Sequence, residues 1–381
     1  MDFSRLLTSR LEDFDAGPLG RAFARAASIR DAIDLSIGQP HFDVPDPIQE
    51  AAIRAIREGK NRYTVAPGIP PLLSAIRSGF DAGYKRDGRW DEYGVLVTVG
   101  VAGGLMLTML ACVQPGDEVV MPDPYFVMYK KFARLAGGTP VFVDTYPDFK
   151  ITAELVEPLI TPRTKMLITS SPSNPTGAVT SLLEWRELAE LCERRGVLIV
   201  NDEIYRHFHY DPEPGETSCP SPAALTESAL ILRGFGKSWG MTGWRLGYAI
   251  GPKPVVDAMT KLHQYLFTNA PTPAQHAGIV ALQTDVTTRV AEYRRKRDRV
   301  VEGLSQDFDL SAPQGAFYAF PKAPRGMSGT RFVERAADKK LLLMPGGFFS
   351  ERDTHFRVSF ACDDATLDRG IETLIQLARE E

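Results

Sequence analysis

The chain is organised around residues 230–250, LILRGFGKSWGMTGWRLGYAI. This stretch begins with an apolar run, continues through a loop punctuated by glycines, and ends with a second short apolar run. Apolar runs bounded by glycine-rich segments are typical of buried strands joined by irregular backbone. Lys237 is therefore predicted to lie in a loop between two buried segments, which is a suitable position for a reactive amine.

Two other motifs overlap this stretch. Residues 236–238, GKS, could end a phosphate-binding loop, but that motif requires a glycine where Ile231 stands and a helix after the serine. Residues 236–240 also fit a nucleophile elbow, with Ser238 as the nucleophile and a downstream histidine as its base: His263, His276 or His355. The glycines that follow Ser238 argue against the turn into a helix that both motifs need. We discount the phosphate loop and keep a serine hydrolase as an alternative.

Length and composition indicate a globular enzyme with one large and one smaller domain. The 381 residues are 44% apolar, and the net charge of -4 does not suggest a nucleic-acid partner. No apolar run approaches the ~20 residues of a membrane span, and the N-terminus lacks a signal-peptide core. The cysteines lie far apart without metal-ligand spacing, so we interpret them as reduced thiols of a cytoplasmic protein: Cys112, Cys192, Cys219 and Cys362.

Lys237 and Arg245 form the pair on which the functional interpretation depends. A lysine attacks a carbonyl only as the free amine, so it becomes useful when burial or neighbouring cations lower its pKa. The run from Lys237 through Gly243-Trp244-Arg245 to Gly247-Tyr248 resembles that of the fold-type I pyridoxal-phosphate enzymes, the class I and II aminotransferases. The resemblance implies pyridoxal 5'-phosphate as cofactor, held by Lys237 as a Schiff base, with Arg245 among the cofactor-binding residues.

Residues 95–105, VLVTVGVAGGL, predict a strand that runs into a glycine-rich turn and an apolar helix. Small residues at a helix start expose backbone N–H groups, and the helix dipole adds positive potential, so this turn can hold a phosphate. The resemblance assigns that role to Val101, Ala102 and Gly103. Two departures from the family pattern leave the contacts mainly to the backbone. The turn has no polar side chain, and Gly234 and Gly236 stand before Lys237 where many relatives carry a serine.

Four further residues are expected at the cofactor ring. Tyr125 follows a proline-rich loop, and its ring can stack on a planar heteroaromatic group, which is worth about 0.5 to 1.5 kcal/mol beyond area burial. Asn174 lies in an Asn-Pro-Thr-Gly run, and the resemblance implies that it hydrogen-bonds the phenolic oxygen. Asp202 ends an apolar strand, where ligands of parallel sheets gather. The resemblance implies that Asp202 holds the pyridine nitrogen protonated and that Tyr205 donates to the ring oxygen.

Three distant residues are expected to serve the substrate or a partner subunit. Gly38 breaks an apolar segment and permits close approach of the backbone. Arg357 stands among apolar neighbours, and its planar fork matches a carboxylate through two hydrogen bonds. The resemblance implies that Tyr63, in a turn-rich loop, reaches the cofactor phosphate of the neighbouring subunit in a homodimer. It also implies a substrate site composed of Gly38, Tyr125, Asn174 and Arg357.

Two other clusters are interpreted as structural. His207 and His209 would share one face of a strand, but no third ligand is near them in sequence, so we predict no metal site. The basic run at residues 294–299 lies between apolar residues and is interpreted as the solvated face of a helix, with no nucleic-acid partner.

The predicted fold is α/β, with a doubly wound, mostly parallel sheet of the seven-stranded type. Residues 46–275 are expected to form the large cofactor-binding domain. Residues 1–45 and 276–381 are expected to form a smaller α+β domain with an N-terminal arm.

The predicted reaction moves an amino group from an L-amino acid to a 2-oxo acid by a ping-pong mechanism, with 2-oxoglutarate expected as acceptor. The donor stays open between aspartate, aromatic and other neutral amino acids. The alternatives are a β-eliminating lyase on the same fold, because the scaffold does not decide which bond at Cα breaks, and the serine hydrolase that would use Ser238.

Overall fold

The protein is described from a computed structural model, which covers residues 3, 6–8, 31–84, 90, 92–212 and 218–380. Most of the predicted N-terminal arm, residues 1–30, lies outside the described residues. Within the described ranges, no helix is both long enough and apolar enough to cross a bilayer. All four cysteines are free thiols.

The strands and the sheets they form set the architecture. In sequence order the strands are β1 (Ile33–Asp34), β2 (Tyr93–Val99), β3 (Glu118–Asp123), β4 (Thr139–Asp144), β5 (Thr164–Ser170), β6 (Leu198–Asp202), β7 (Ala229–Gly234), β8 (Leu246–Pro252), β9 (Tyr318–Ala319), β10 (Leu341–Leu342), β11 (Met344–Pro345) and β12 (Phe356–Ser359). The largest sheet has seven strands in the order β2-β8-β7-β6-β5-β3-β4. Its pairs are parallel except for those of β8, which runs antiparallel to both β2 and β7. The predicted mostly parallel α/β sheet is confirmed.

Helices connect the parallel strands and surround the sheet. In sequence order they are α1 (Asp46–Arg57), α2 (Pro70–Tyr84), α3 (Gly100–Cys112), α4 (Val127–Leu135), α5 (Ala153–Val156), α6 (Leu182–Arg195), α7 (Lys253–Leu266), α8 (Thr272–Ala281), α9 (Thr287–Leu304), α10 (Gly329–Asp338) and α11 (Asp364–Arg379). Helix α6 shows why the sequence begins and ends a helix at these residues. Ser181 and Glu184 form a capping box at its start, and Gly196, with φ 66°, ends it in the left-handed conformation.

The apolar run of β7 explains how the sheet is buried on both faces. Successive side chains of a strand point to opposite faces. Leu230 and Leu232 accordingly pack into one apolar core, whereas Ile231 packs into another core on the opposite face. A strand buried on both faces reads as a continuous apolar run, as expected for a parallel sheet covered by helices.

Shorter strands complete the molecule near its C-terminal part. Strands β11, β12 and β9 form an antiparallel sheet, and β1 pairs in parallel with β10. A separate apolar core contains Leu35, Phe332 and Leu374, so a segment before α1 packs with the C-terminal helices. The predicted division into residues 46–275 and the two flanking segments agrees with this packing but stays a prediction.

The carboxyl ends of the central strands bring polar side chains together. Ser170 at the end of β5 pairs in register with Asp202 at the end of β6. The chain leaves strand β7 at Gly234 and enters the loop that carries Lys237. Ligands of open α/β sheets bind at this edge, and a cavity lies there.

Candidate active site

A cavity of about 350 Å³ lies at the carboxyl edge of the sheet. Its volume is within the range of small-molecule sites, roughly 300 to 1,000 Å³. The structure brings most of the predicted site residues to its wall, although they come from segments that are far apart in sequence: Gly38, Val101, Ala102, Asn174, Asp202, Tyr205, Lys237, Arg245 and Arg357.

Lys237 extends from the loop after β7 into this cavity. Its Nζ donates a hydrogen bond to the carbonyl oxygen of Gly38 and lies 5.8 Å from the ring centre of Tyr205. Burial, reinforced by the positive charge of Arg357, lowers the pKa of Lys237 from its usual 10.5 to about 8. Because the free amine is the nucleophilic form, the site prepares Lys237 for attack on a carbonyl near neutral pH.

Arg245 and the start of helix α3 form the part of the cavity wall that is best suited to bind an anion. Arg245 is a non-glycine residue in the left-handed conformation, with φ 52° and ψ 51°. Such strain is rare and concentrates at functional sites. A Cβ added to Gly100 would lie 2.8 Å from Nη2 of Arg245, so the guanidinium rests against the first turn of α3.

The first turn of α3 offers its backbone N–H groups to a ligand. The N-cap residue, Val99, provides no side-chain cap, and Val101 and Ala102 line the cavity. Gly103 follows in the same turn but is buried and is not part of the cavity wall. Exposed amides beside an arginine suit a phosphate group.

Asp202 lies at the bottom of the cavity. One carboxylate oxygen accepts the hydroxyl of Tyr129 at 3.1 Å, and the other accepts the backbone N–H of Ile204 at 3.1 Å. Burial raises the pKa of Asp202 to about 7, partly offset by these hydrogen bonds. A cationic partner placed beside it would favour the carboxylate form.

Arg357 is a buried cation with unused hydrogen-bonding capacity. Its Nη1 donates to Oδ1 of Asn174 at 3.0 Å and its Nη2 donates to the carbonyl oxygen of Ser36 at 2.7 Å. Its Nε is buried without a hydrogen-bond partner. No carboxylate of the described chain contributes to its electrostatic environment, and burial lowers its pKa. A buried arginine that lacks an anion inside the protein is suited to an anion supplied by a ligand.

Gly38 lies directly beside this arginine. A Cβ at Gly38 would come within 2.8 Å of the hydroxyl of Tyr318 and 3.8 Å of Nη2 of Arg357. The absence of a side chain at Gly38 therefore leaves room next to the guanidinium. The predicted proximity of Gly38, Asn174 and Arg357 is found in the structure.

Tyr318 lines the cavity and contacts both Tyr205 and Arg357, and it was not predicted from the sequence as a site residue. Its hydroxyl lies 2.8 Å from that of Tyr205, and its ring lies under the guanidinium of Arg357 at 4.4 Å. Phe349 approaches the same guanidinium at 4.6 Å. Neither residue stands in a motif, so no sequence signal distinguishes them from ordinary core aromatics.

Tyr125, like Gly103 and Tyr63, is a predicted site residue that does not line the cavity. Its ring stacks on Phe142 at 5.2 Å, and its hydroxyl donates to Oε1 of Glu351 at 2.5 Å. The next residue, Phe126, lines the cavity instead. Phe126 has an extended backbone, with φ -73° and ψ 128°, and adjacent side chains of extended chain point in opposite directions. This placement corrects both roles predicted for Tyr125, which were stacking on the cofactor and contacting the substrate.

Tyr63 lies outside the cavity, with 85% of its surface exposed. A cofactor contact within the same chain is therefore not formed. The placement leaves open the predicted contact across a subunit interface.

Ser238 is buried, with 1% of its surface exposed, and is not part of the cavity wall. Its Oγ lies 2.7 Å from Nδ1 of His207, rather than near any of the three histidines predicted as its base. Burial lowers the pKa of His207 to about 3. The described residues contain no cluster of three or more metal-ligating side chains.

The geometry defines a class of protein before any comparison is made. A lysine with a lowered pKa, an arginine beside uncapped helix amides and a second buried arginine surround one cavity at the end of a parallel sheet. Together they can hold a phosphorylated ligand, attack its carbonyl and bind a carboxylate. This is the equipment of a lysine-dependent α/β enzyme that acts on carboxylic substrates.

Comparisons with known proteins identify the family. The family model described as "Aminotransferase class I and II" matches residues 30–374. A putative aminotransferase, YugH, of Bacillus subtilis is 36% identical over 98% of this chain and 98% of its own length. A probable aspartate aminotransferase of Methanocaldococcus jannaschii is 35% identical over 96% and 98%, respectively. A solved single-mutant structure of the aspartate aminotransferase of Thermus thermophilus superposes with a TM-score of 0.91 at 34% identity, covering 97% of this chain and 99% of that one.

The chain belongs to the class I and II aminotransferase family and is a transaminase. The family resemblance inferred from the sequence is confirmed. Enzymes of this family depend on pyridoxal phosphate, and the residues around the cavity fit such a group. The uncapped helix start beside Arg245 suits its phosphate, and buried Asp202 suits its ring nitrogen.

Proposed function

We propose that the protein catalyses pyridoxal-phosphate-dependent transamination, with an L-amino acid and a 2-oxo acid using the same cavity in two successive half-reactions. The observation that carries this proposal is the convergence of the Lys237 amine with Arg245, Asp202 and Arg357 around one cavity. The ping-pong order follows because one carboxylate-binding arginine faces one lysine, so donor and acceptor occupy the site in turn. The acceptor 2-oxoglutarate stays a prediction.

Different residues of the chain would bind different parts of the cofactor. Arg245 and the amides of Val101 and Ala102 would hold the phosphate. Asp202 would receive the ring nitrogen, and its raised pKa would fall again beside a pyridinium. Phe126, in place of Tyr125, is positioned to cover a ring face. When bound, pyridoxal phosphate supplies an aldehyde and an electron-withdrawing ring that stabilises negative charge at the substrate Cα.

The ring oxygen has two candidate partners. Asn174 and Tyr205 both line the cavity, and the Tyr205 hydroxyl already has a hydrogen-bonding partner in Tyr318 at 2.8 Å. We propose that Tyr205 donates to the ring oxygen while it accepts from Tyr318. Asn174 would then orient both the cofactor and, through its bond to Nη1, Arg357.

Lys237 is proposed to act twice. Its amine would hold the cofactor in the resting enzyme and, as the free amine, would accept a proton from the substrate Cα at Nζ and later donate it again. A pKa of about 8 suits a group that must both accept and donate a proton near neutrality. Arg357 would fix the substrate carboxylate, so that the Cα–H bond faces Lys237.

A homodimer is proposed from an exposed apolar surface around Tyr63. Val65 is 61% exposed and Tyr265 is 88% exposed. The loop before Tyr63 is anchored to the start of helix α8, since Oγ1 of Thr272 donates to the carbonyl of Arg62 at 2.8 Å. Contiguous exposed apolar residues mark interaction surfaces. In the dimer, Tyr63 would reach the phosphate in the partner's cavity, and Tyr63→Phe would weaken cofactor binding without changing the oligomeric state measured by light scattering.

The test of the proposed function is the absorption spectrum of the purified, cofactor-loaded protein. A visible band should convert to the near-ultraviolet band of the amine form of the cofactor when an amino acid is added, and a 2-oxo acid should restore it. A protein that stays colourless after incubation with pyridoxal phosphate would contradict the proposal. If the amino acid is instead converted to ammonia and a 2-oxo acid and the amine form of the cofactor does not accumulate, the enzyme is the β-eliminating lyase.

Lys237→Ala provides the residue-specific control. This variant should still bind the cofactor through the phosphate and ring contacts, but it should not interconvert the two forms. Undiminished transamination by Lys237→Ala would remove the lysine from the mechanism.

The four free thiols support the prediction of a cytoplasmic protein.

A further inference from the structure

The identity of the substrate side chain can be approached by counting the cations of the cavity. This inference rests on the proposed function. Among the described residues that line the cavity, the cationic side chains are Lys237, Arg245 and Arg357. Each has a role already, since Lys237 carries the cofactor, Arg245 faces the phosphate position and Arg357 faces the substrate α-carboxylate.

The remainder of the wall is largely apolar. Aliphatic, thioether and aromatic side chains come from four separate segments of the chain, and they include Phe126, Val127, Met128, Ile204, Met344 and Phe349. Met344 lies directly opposite Arg357 in the pairing of β11 with β12, and Phe349 packs on the same guanidinium. The Arg357 guanidinium, which would bind the substrate α-carboxylate, therefore has apolar neighbours on two sides.

A second carboxylate on the substrate would find no cationic partner in this wall. Burying an ionised carboxylate without a partner is strongly unfavourable, whereas an apolar side chain gains free energy from the same transfer.

A second pocket, which shares Val127 with the cavity, is lined by three cationic residues, Lys130, Lys131 and Arg134. None of the three lines the cavity itself, and Nζ of Lys130 pairs with Oε1 of Glu351 at 2.6 Å. The proposed dimer offers one other source of charge. Arg62 precedes Tyr63, so the partner's copy of this exposed segment would approach the mouth of the cavity.

We infer that the substrate side-chain pocket is selective for neutral, apolar side chains, such as those of leucine, methionine or phenylalanine, over side chains that carry a second carboxylate. The same pocket takes donor and acceptor in turn. The predicted acceptor 2-oxoglutarate is therefore expected to be used less well than a neutral 2-oxo acid of similar size, such as 4-methyl-2-oxopentanoate.

The test compares amino acids of nearly equal shape on the cofactor-loaded protein. Leucine and aspartate differ chiefly in replacing two methyl groups by two carboxylate oxygens, and asparagine has the shape of aspartate without its charge. Single-turnover conversion of the visible band gives kcat/KM for each. The expected order is leucine, then asparagine, then aspartate. Leucine should exceed aspartate by at least tenfold, equivalent to about 1.4 kcal/mol.

A binding measurement separates recognition from chemistry. The unreactive acids 4-methylpentanoate and glutarate are similar in length, and both can place a carboxylate on Arg357. Spectral titration should give a Kd at least tenfold lower for 4-methylpentanoate. Both preferences should persist in Lys130→Ala, because that lysine lies outside the cavity.

The outcomes distinguish this inference from the proposed function. If no amino acid converts the cofactor, the proposed function fails. If conversion occurs but leucine exceeds aspartate by less than tenfold, or aspartate is preferred, transamination stands and the apolar pocket is overturned. In that event Arg62→Ala shows whether the charge comes from the partner subunit, because this variant would then lose the activity with aspartate.

Discussion

Two buried arginines differ in whether the protein supplies them with an anion. Arg233 is 5% exposed, and its Nε donates to Oε2 of Glu203 at 2.8 Å. Arg357 is 6% exposed and has no carboxylate partner in the described chain. Replacing each by methionine, which is similar in length and uncharged, should therefore separate a structural arginine from one that awaits a ligand.

For Arg357→Met we expect a large loss of activity. The guanidinium is positioned to make charge-assisted hydrogen bonds to the substrate carboxylate in a site shielded from water. Truncating one member of such a buried charge pair costs about 2 to 5 kcal/mol. That range corresponds to a loss of roughly 30-fold to 5,000-fold in kcat/KM. Arg357→Lys keeps the charge but loses the two-pronged geometry, so its loss should be smaller.

The two variants should lose different amounts of stability. Arg233→Met leaves buried Glu203 with hydrogen bonds from Asn201 and Ser221, but its remaining cation is the more distant Arg206, at 3.9 Å. Breaking a buried ion pair destabilises by roughly 3 to 5 kcal/mol. Arg357→Met removes an uncompensated buried charge, and one of its two former acceptors, Asn174, lines the cavity, where water can reach it. We expect its free energy of unfolding to fall by no more than about 1 kcal/mol.

The assay pairs kcat/KM with urea unfolding of the cofactor-free proteins, and the absorption spectrum checks that each variant still binds the cofactor. Folded Arg233→Met should keep most of its kcat/KM, because Arg233 is outside the cavity wall. The reasoning is refuted if Arg357→Met retains kcat/KM within threefold of the native protein. It is also refuted if this variant loses as much stability as Arg233→Met.

Three other perturbations follow from the same geometry. With a pKa of about 8, the fraction of Lys237 present as free amine rises about tenfold from pH 7 to pH 9, whereas that of an ordinary lysine rises about 100-fold. Borohydride trapping of pyridoxal phosphate on the cofactor-free protein should therefore follow the shallower curve and level off above pH 9. Gly38→Ala would bring a Cβ to 2.8 Å from the Tyr318 hydroxyl, so steady-state kinetics should show KM raised by about fivefold or more, with cofactor affinity, from spectral titration, unchanged. Ser238→Ala removes the hydrogen bond to His207 and should lower stability by about 1 to 3 kcal/mol in urea while turnover per cofactor is retained; loss of turnover would revive the hydrolase alternative.

Sequence reasoning succeeded where a short motif and a strand end coincide. The apolar runs of residues 197–200 and 230–232 predicted buried strands, and both became strands of the central sheet. Asp202 was found because it stands at the end of one such strand, and Lys237 because it lies in the glycine-rich loop that follows the other. Their closeness in space is a consequence of parallel topology, which places the carboxyl ends of neighbouring strands along one edge.

The error at Tyr125 shows what such reasoning cannot reach. A proline-rich loop before a helix predicts that an aromatic residue is fixed, but not which of two adjacent rings faces the cavity. That choice depends on the backbone angles of Phe126 and on where Phe142 and Glu351 provide a ring and a carboxylate for Tyr125. Both of these partners are distant in sequence, so the direction of the tyrosine is decided by tertiary packing.

Tyr318 has a further physical consequence, because it contacts residues on both sides of the reacting centre. Its ring supports Arg357, its hydroxyl bonds to Tyr205, and the same hydroxyl occupies the space beside Gly38. A carboxylate bound at the Arg357 guanidinium and a ring oxygen bound at Tyr205 would therefore each act on a residue that contacts the fully buried side chain of Tyr318. Packed interiors transmit small displacements because they have little free volume. The substrate carboxylate can thus influence the hydrogen bonding of the cofactor ring without touching it, and Tyr318→Phe, which keeps the ring but removes the hydroxyl, isolates that coupling.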